Sequence, residues 1–235
     1  AGVSSVTVSG AAGSDVPPSW ETELSALADS VIVAQGDTAV TVDAIAQVFD
    51  VKVGGNSESE TSLNSGLGYS HAIAIGDKLV LQSLTGSTDF LVFDTVAAGT
   101  TPANIQLQGL IGQPAGPGGS FKGRLLLPVS DGQLALFDVT TGKQSLVAYH
   151  PVKQPGEVVR WSDFVLPSDN ANTFLVIRDR KSLQKIGINA LPVPHLELVG
   201  EMFFDAPVYN QVAATGETAY LIRRGRNNDE IVGVS

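Results

Sequence analysis

Residues 124–136, Arg-Leu-Leu-Leu-Pro-Val-Ser-Asp-Gly-Gln-Leu-Ala-Leu, read as two apolar runs joined by an Asp-Gly turn. Asp and Gly tolerate the left-handed backbone that a tight hairpin needs, and the flanking leucines supply strand faces to bury. The same form recurs at 30–42 (Ser-Val-Ile-Val-Ala-Gln-Gly-Asp-Thr-Ala-Val-Thr-Val), 71–81 (His-Ala-Ile-Ala-Ile-Gly-Asp-Lys-Leu-Val-Leu), 163–177 and 210–222. Aligned on the first apolar residue after each turn, the copies fall at Ala39, Leu79, Leu134, Phe174 and Ala219. The steps are 40, 55, 40 and 45 residues, a mean of 45.

A repeat of that length made of short strands has the size of one four-stranded propeller blade. The expectation is an all-β fold: a β-propeller of about five four-stranded antiparallel blades, complete or a fragment of a larger one. Residues 1–235 are read as a single domain. A two-sheet sandwich is the fallback architecture. A third run follows several hairpins, at 46–53, 89–96 and 230–234, and its alternation predicts antiparallel strands with one face buried. Asp-Val-Thr-Thr-Gly-Lys (138–143) and residues 177–183 supply turn chemistry.

Outward from the repeats the pattern weakens. Residues 1–18 are rich in Gly, Ser and Ala and end at Pro17–Pro18, with Val3–Val8 as a strand candidate. Residues 20–24 alternate as an inner strand would, whereas a helix over 19–31 would place Trp20, Leu24, Leu27 and Val31 on one face. Two longer segments, Gly54–Tyr69 and Gly109–Gly123, are read as polar loops, the second accounting for the 55-residue step.

The chain of 235 residues is 43% hydrophobic and carries 24 acidic against 14 basic side chains, a net charge of −10. That balance disfavours a surface tracking nucleic-acid phosphates. With no cysteine, disulfides, thiolate nucleophiles and Cys-type zinc sites are excluded. No run is long and apolar enough to predict a membrane-spanning helix, and no signal peptide is present in this chain.

No chemical motif stands out. Gly-Pro-Gly-Gly-Ser-Phe-Lys-Gly (116–123) lacks the P-loop spacing and leads into a strand. His71, His150 and His195 are far apart in sequence and do not pair at ligand spacing. The Asp/Asn-rich stretches 168–172 and 226–230 lack the calcium-loop pattern and read as hairpin turns. No Gly-x-Ser-x-Gly elbow occurs in a strand–turn–helix setting. The sequence therefore assigns no catalytic, cofactor-binding or metal residue. What it does show is a late cluster of basic residues: Arg160, Arg178, Arg180, Lys181, Lys185, Arg223, Arg224 and Arg226.

Residues 123–143 resemble the blade core of quinoprotein-type (PQQ-like) β-propeller repeat proteins: strand, Asp-Gly, Leu-x-Ala-Leu, then Asp and Thr-Gly-Lys. Residues 20–38 share a looser likeness. That family, commonly of seven or eight blades, divides into quinone-binding redox enzymes and noncatalytic scaffolds related to the outer-membrane assembly lipoprotein. The alcohol-dehydrogenase branch carries an adjacent Cys pair over its cofactor and a Trp-rich docking motif in each blade. Here there is no Cys and there are only two Trp, Trp20 and Trp161. The resemblance therefore implies the BamB-like scaffold branch and no cofactor.

The expected function is a noncatalytic interaction module of an exported bacterial protein, periplasmic or extracellular, with a protein partner. The alternatives are a carbohydrate-binding or carbohydrate-active propeller, for which the aromatic supply is thin, and a fragment of a quinone-cofactor oxidoreductase. The expected partner site is Arg160–Trp161, with Arg178, Arg180, Arg223, Arg224 and Arg226 around it, because Arg and Trp are enriched at binding hot spots. The competing reading has Trp161 opening a blade strand and packing inward.

Overall fold

The computed structural model describes residues 31–35, 38–43, 48–53, 56–62, 69–83, 86–94, 101–165, 172–215, 218–224 and 229–234. Every regular element among them is a strand. The expected strand at Val3–Val8, the helix or strand within 19–31, most of the turn 168–172 and Arg226 lie outside the described residues.

Each of the five repeats is a hairpin, and each hairpin belongs to its own antiparallel sheet. The chain divides into two compact units. The first holds a four-stranded sheet of β1 (Val31–Gln35), β2 (Thr38–Asp43), β3 (Val48–Val53) and β4 (Asn56–Ser62), and most of a second. That second sheet runs β5 (Tyr69–Ile75), β6 (Lys78–Ser83), β7 (Asp89–Phe93), β8 (Ala103–Gln106). The second unit contains Gly86–Asp89 and the chain from Ile105 onward. In it β9 (Gly119–Phe121), β10 (Arg124–Pro128) and β11 (Leu134–Phe137) form a sheet whose outer edge is bridged by Gln144 and Tyr149. Beside them are the sheets β12 (Trp161–Val165), β13 (Thr173–Arg178), β14 (Ser182–Asn189), β15 (His195–Phe203) and β16 (Val208–Thr215), β17 (Thr218–Arg223), β18 (Glu230–Val234).

Three sequence expectations change. Residues 56–62 are not loop but the edge strand β4, in register from Val48↔Ser62 to Val53↔Asn56. The run Asn-Ser-Glu-Ser-Glu-Thr-Ser has no apolar period to betray it, and polar, charged composition is how an edge strand avoids pairing with other chains. Likewise Gly119–Phe121, expected in a loop, is strand β9. This explains the uneven period. In four sheets the repeat hairpin joins the first two strands, but in the third it joins β10 and β11, the second and third. Counting from the start of each second strand, Thr38, Lys78, Arg124, Thr173 and Thr218, gives steps of 40, 46, 49 and 45.

The third change concerns burial. β6, β7, β10 and β11 are buried on both faces apart from their first residues or not at all exposed, where one buried face was expected for the 89–96 run. In the second unit the cause is visible at β13. Phe174 and Val176 pack with Phe121, Leu126, Leu134 and Trp161. Leu175 and Ile177, pointing the other way, pack with Leu183, Val208 and Leu221. A sheet sandwiched between two others needs apolar residues at consecutive positions, which removes the alternation.

Candidate interaction site

The turn joining β13 to β14 organises the site. Lys181 N–H donates to the Arg178 carbonyl at 2.9 Å, and between them Asp179 and Arg180 hold φ of +52° and +59°. Two successive left-handed residues match the twist of a β-hairpin, but glycine is the usual occupant of the second. An arginine there costs on the order of 1 kcal/mol relative to glycine.

The turn is anchored on every side. Asp179 N–H donates to the Arg160 carbonyl at 2.8 Å, and Asp179 Oδ1 accepts the Arg160 N–H at 2.9 Å. The Arg180 carbonyl accepts Val208 N–H, and the Lys181 carbonyl accepts Phe204 N–H, each at 2.9 Å. Arg160 and Arg180 are thus carried on backbone held by its neighbours, and both are exposed.

The other expected site residues have different surroundings. Trp161 is only 9% exposed: it packs in the core against Tyr149 and donates its indole N–H to the Gly132 carbonyl at 3.0 Å. Arg178 is a clamp for the 151–158 segment, donating to the Val152 carbonyl at 3.0 Å and pairing with Glu157 at 2.9 Å and Asp179 at 3.4 Å. Arg223 pairs with Glu230 at 2.6 Å and Asp205 at 3.1 Å, and the Glu230 hydrogen bond foremost raises its pKa. Arg224 is exposed, its N–H on the Pro207 carbonyl. Of the histidines, His71 is half-buried on β5, His150 is exposed, and His195 Nδ1 is 2.8 Å from the Val193 carbonyl. Lys122, the lysine of the glycine-rich stretch, donates to Asn172 Oδ1.

Arg160, Trp161 and Arg180 line an open cleft of about 590 Å³ with Pro128, Ser130 and Val158. A second, of about 500 Å³, is lined by Glu157, Arg178, Lys181, Glu201 and Phe203. Val158 and Asp179 line both. The acids of this region are already engaged. Glu157 accepts the Gln154 N–H at 2.8 Å, the main reason its pKa is lowered, with Arg178 adding to the effect. Glu201 accepts from Ser182 at 2.7 Å and from the buried Gln184 at 2.9 Å. Arg160 and Lys181 make no ion pair among the described residues. The sequence pointed to Arg160 and Arg180 but not to Val158 and Phe203, which are 64% and 74% exposed.

No family model and no curated protein sequence matches the chain. Solved structures do. The β-propeller domain of Cps50 (Swd1) from Myceliophteria thermophila aligns over 87% of this chain and 72% of its own, with TM-score 0.57 and 10% identity. BamB from Moraxella catarrhalis aligns over 86% and 60%, with TM-score 0.55 and 11% identity. YCF48, solved bound to D1 peptide, aligns over 81% and 60%, with TM-score 0.53 and 12% identity. The fold is a β-propeller. This chain spans about three fifths of the length of the BamB and YCF48 chains.

Proposed function

We propose that this protein is a noncatalytic β-propeller scaffold that holds a protein partner at the Arg160–Arg180 cleft. The observation that carries this reading is the anchored turn: a strained Arg180 and an exposed Arg160 held rigidly beside an open cleft. The likeness to a propeller solved with a peptide supports the class of partner. In this reading Trp161 positions Arg160 from the core rather than touching the partner. Residues 1–235 form one propeller domain or part of a larger one, of the PQQ-like, BamB-like kind. The proposal includes export to the periplasm or beyond, supported by that resemblance.

Affinity capture with the wild-type chain, compared with Arg160→Glu across a salt series, tests the reading. Charged rim contacts act mainly on association rate, so captured proteins should fall away in the variant and at high salt. Saturable binding on a glycan array, with no protein retained at any salt, overturns it in favour of a sugar-binding propeller.

A further inference from the structure

The chain between the Tyr149 bridge and β12 forms a strap whose two ends rest on one residue. A Cβ on Gly132 would stand 3.0 Å from Val159 and 3.5 Å from Pro151, both of them buried. Between these ends the segment turns outward: Val152 is 88% and Val158 64% exposed, and residues 153–156 are exposed throughout. A surface loop with close ends moves as a unit when little buried apolar area holds it down. Among the described residues no backbone–backbone hydrogen bond ties 152–158 to a strand; the Glu157 N–H donates within the segment, to the Gln154 carbonyl at 3.0 Å. What holds the strap is Arg178. From β13 its guanidinium, on a side chain 15% exposed, reaches the Val152 carbonyl at 3.0 Å and Glu157 Oε1 at 2.9 Å. Glu157 passes that hold on, because its Oε2 accepts the Gln154 N–H at 2.8 Å. Lys153 Nζ adds a tie to the Asp131 carbonyl at 2.6 Å, an exposed contact of a long flexible side chain and therefore the weaker one.

We propose that residues 152–158 are a strap that gates the two clefts, hinged where Pro151 and Val159 meet Gly132 and latched by Arg178. Val158 and Val159 line the first cleft, and Glu157 and Val158 line the second. The strap is thus a wall common to both, and lifting it off Arg178 widens both at once. Its own valines give it no core anchor, so the closed form depends on one guanidinium and the open form is a minor state, on the order of 1% of molecules. Whatever enters the widened cleft selects that state. The inference rests on the scaffold reading for what the cleft receives and adds how entry is controlled. Its test uses no partner, so a failed latch leaves the capture experiment untouched.

Hydrogen exchange followed residue by residue by NMR on the whole chain, together with trypsin cleavage after Lys153, tests this. Arg178→Met and Glu157→Gln should each speed exchange of the Gln154 and Glu157 amides about tenfold, the effect of losing one charge-assisted hydrogen bond. Glu157 lies on the strap itself, so its variant leaves the sheet untouched. Cleavage after Lys153 should rise by the same factor, because both readouts follow the open population when reclosing is fast. The Arg160 N–H, held by Asp179 on the fixed side of the hinge, should stay protected, as should the amides of Phe174–Ile177 in β13. Lys185→Met, which removes one positive charge at an exposed position of β14, should change none of these rates. Strap amides that exchange no faster in either variant, or that speed up only together with Phe174–Ile177, overturn the latch. Unequal factors for Gln154, Glu157 and the Lys153 cleavage overturn it too, since they mark local fraying instead of one hinged movement.

Discussion

Asp179 and Arg160 are joined twice, once through the Asp179 N–H to the Arg160 carbonyl at 2.8 Å and once through the Arg160 N–H to Asp179 Oδ1 at 2.9 Å. The residue that forms the tip of the β13–β14 hairpin therefore also fixes the backbone immediately before β12, the strand that pairs with β13 in the same sheet. A main-chain pair alone would set the spacing; the carboxylate adds a second tether and prevents rotation about the first.

Asp179→Ala should remove that tether and place alanine at a left-handed φ. The expected loss is about 2 kcal/mol, combining one charge-assisted hydrogen bond with backbone strain. Asp179→Asn keeps an acceptor and tolerates the conformation, so it should lose less than half as much. Urea denaturation of the two variants checks the ordering.

Gly142 lies in the Asp138–Lys143 turn at φ +69°, and a Cβ there would stand 2.1 Å from the Gln106 carbonyl oxygen. Backbone cannot yield as a side-chain tip can. Gly142→Ala should therefore cost more than the ordinary left-handed penalty, about 3 kcal/mol or above. Gly123→Ala meets no atom within 4 Å at a similar φ of +69° and should show only the conformational part. The difference in melting temperature between these two variants isolates the steric contribution.

Asp138 accepts the Thr141 N–H at 2.8 Å, the Thr140 N–H at 2.9 Å and the Thr141 hydroxyl at 3.0 Å. The Thr141 backbone bond foremost holds its carboxyl below the usual carboxylate range. Because the folded-state pKa is depressed, the stabilisation is fully present above the unfolded value of about 4 and is lost as pH falls through the folded one. Asp138→Asn should flatten this part of the acid limb of the stability–pH curve while leaving most of the turn in place. An acid limb unchanged in slope would contradict the assignment.

Trp161 fills the core between sheets and donates to the Gly132 carbonyl at 3.0 Å. Trp161→Phe loses that bond and part of the ring volume, an expected destabilisation of about 2–3 kcal/mol, while Trp161→Ala should reach about 3–5 kcal/mol. Because Trp161 is nine-tenths buried, its fluorescence should be blue-shifted in the folded chain and should shift red on unfolding. Recording that signal in a Trp20→Phe background reports on this ring alone.

What the sequence by itself determined was the set of hairpins and their spacing. Turn residues such as Gly76 and Gly132 hold positive φ in the structure, and their chemistry is local, so each could be read from a few neighbours. The polar edge strand β4 and the short β9 were not legible. Their strand character comes from pairing with Val48–Val53 and Arg124–Leu126, not from any pattern of their own. Nor was the fate of the basic cluster. Arg160, Arg178 and Arg223 look alike along the chain, yet one stands exposed, one clamps a loop to Glu157 and one lies between Asp205 and Glu230. Only the tertiary structure brings those carboxylates, 18 to 21 residues away in two cases, to the guanidinium groups or keeps them from it. Backbone torsion is a local property, whereas an ion pair, a cleft or burial on both faces of a sheet depends on which segments fold against each other.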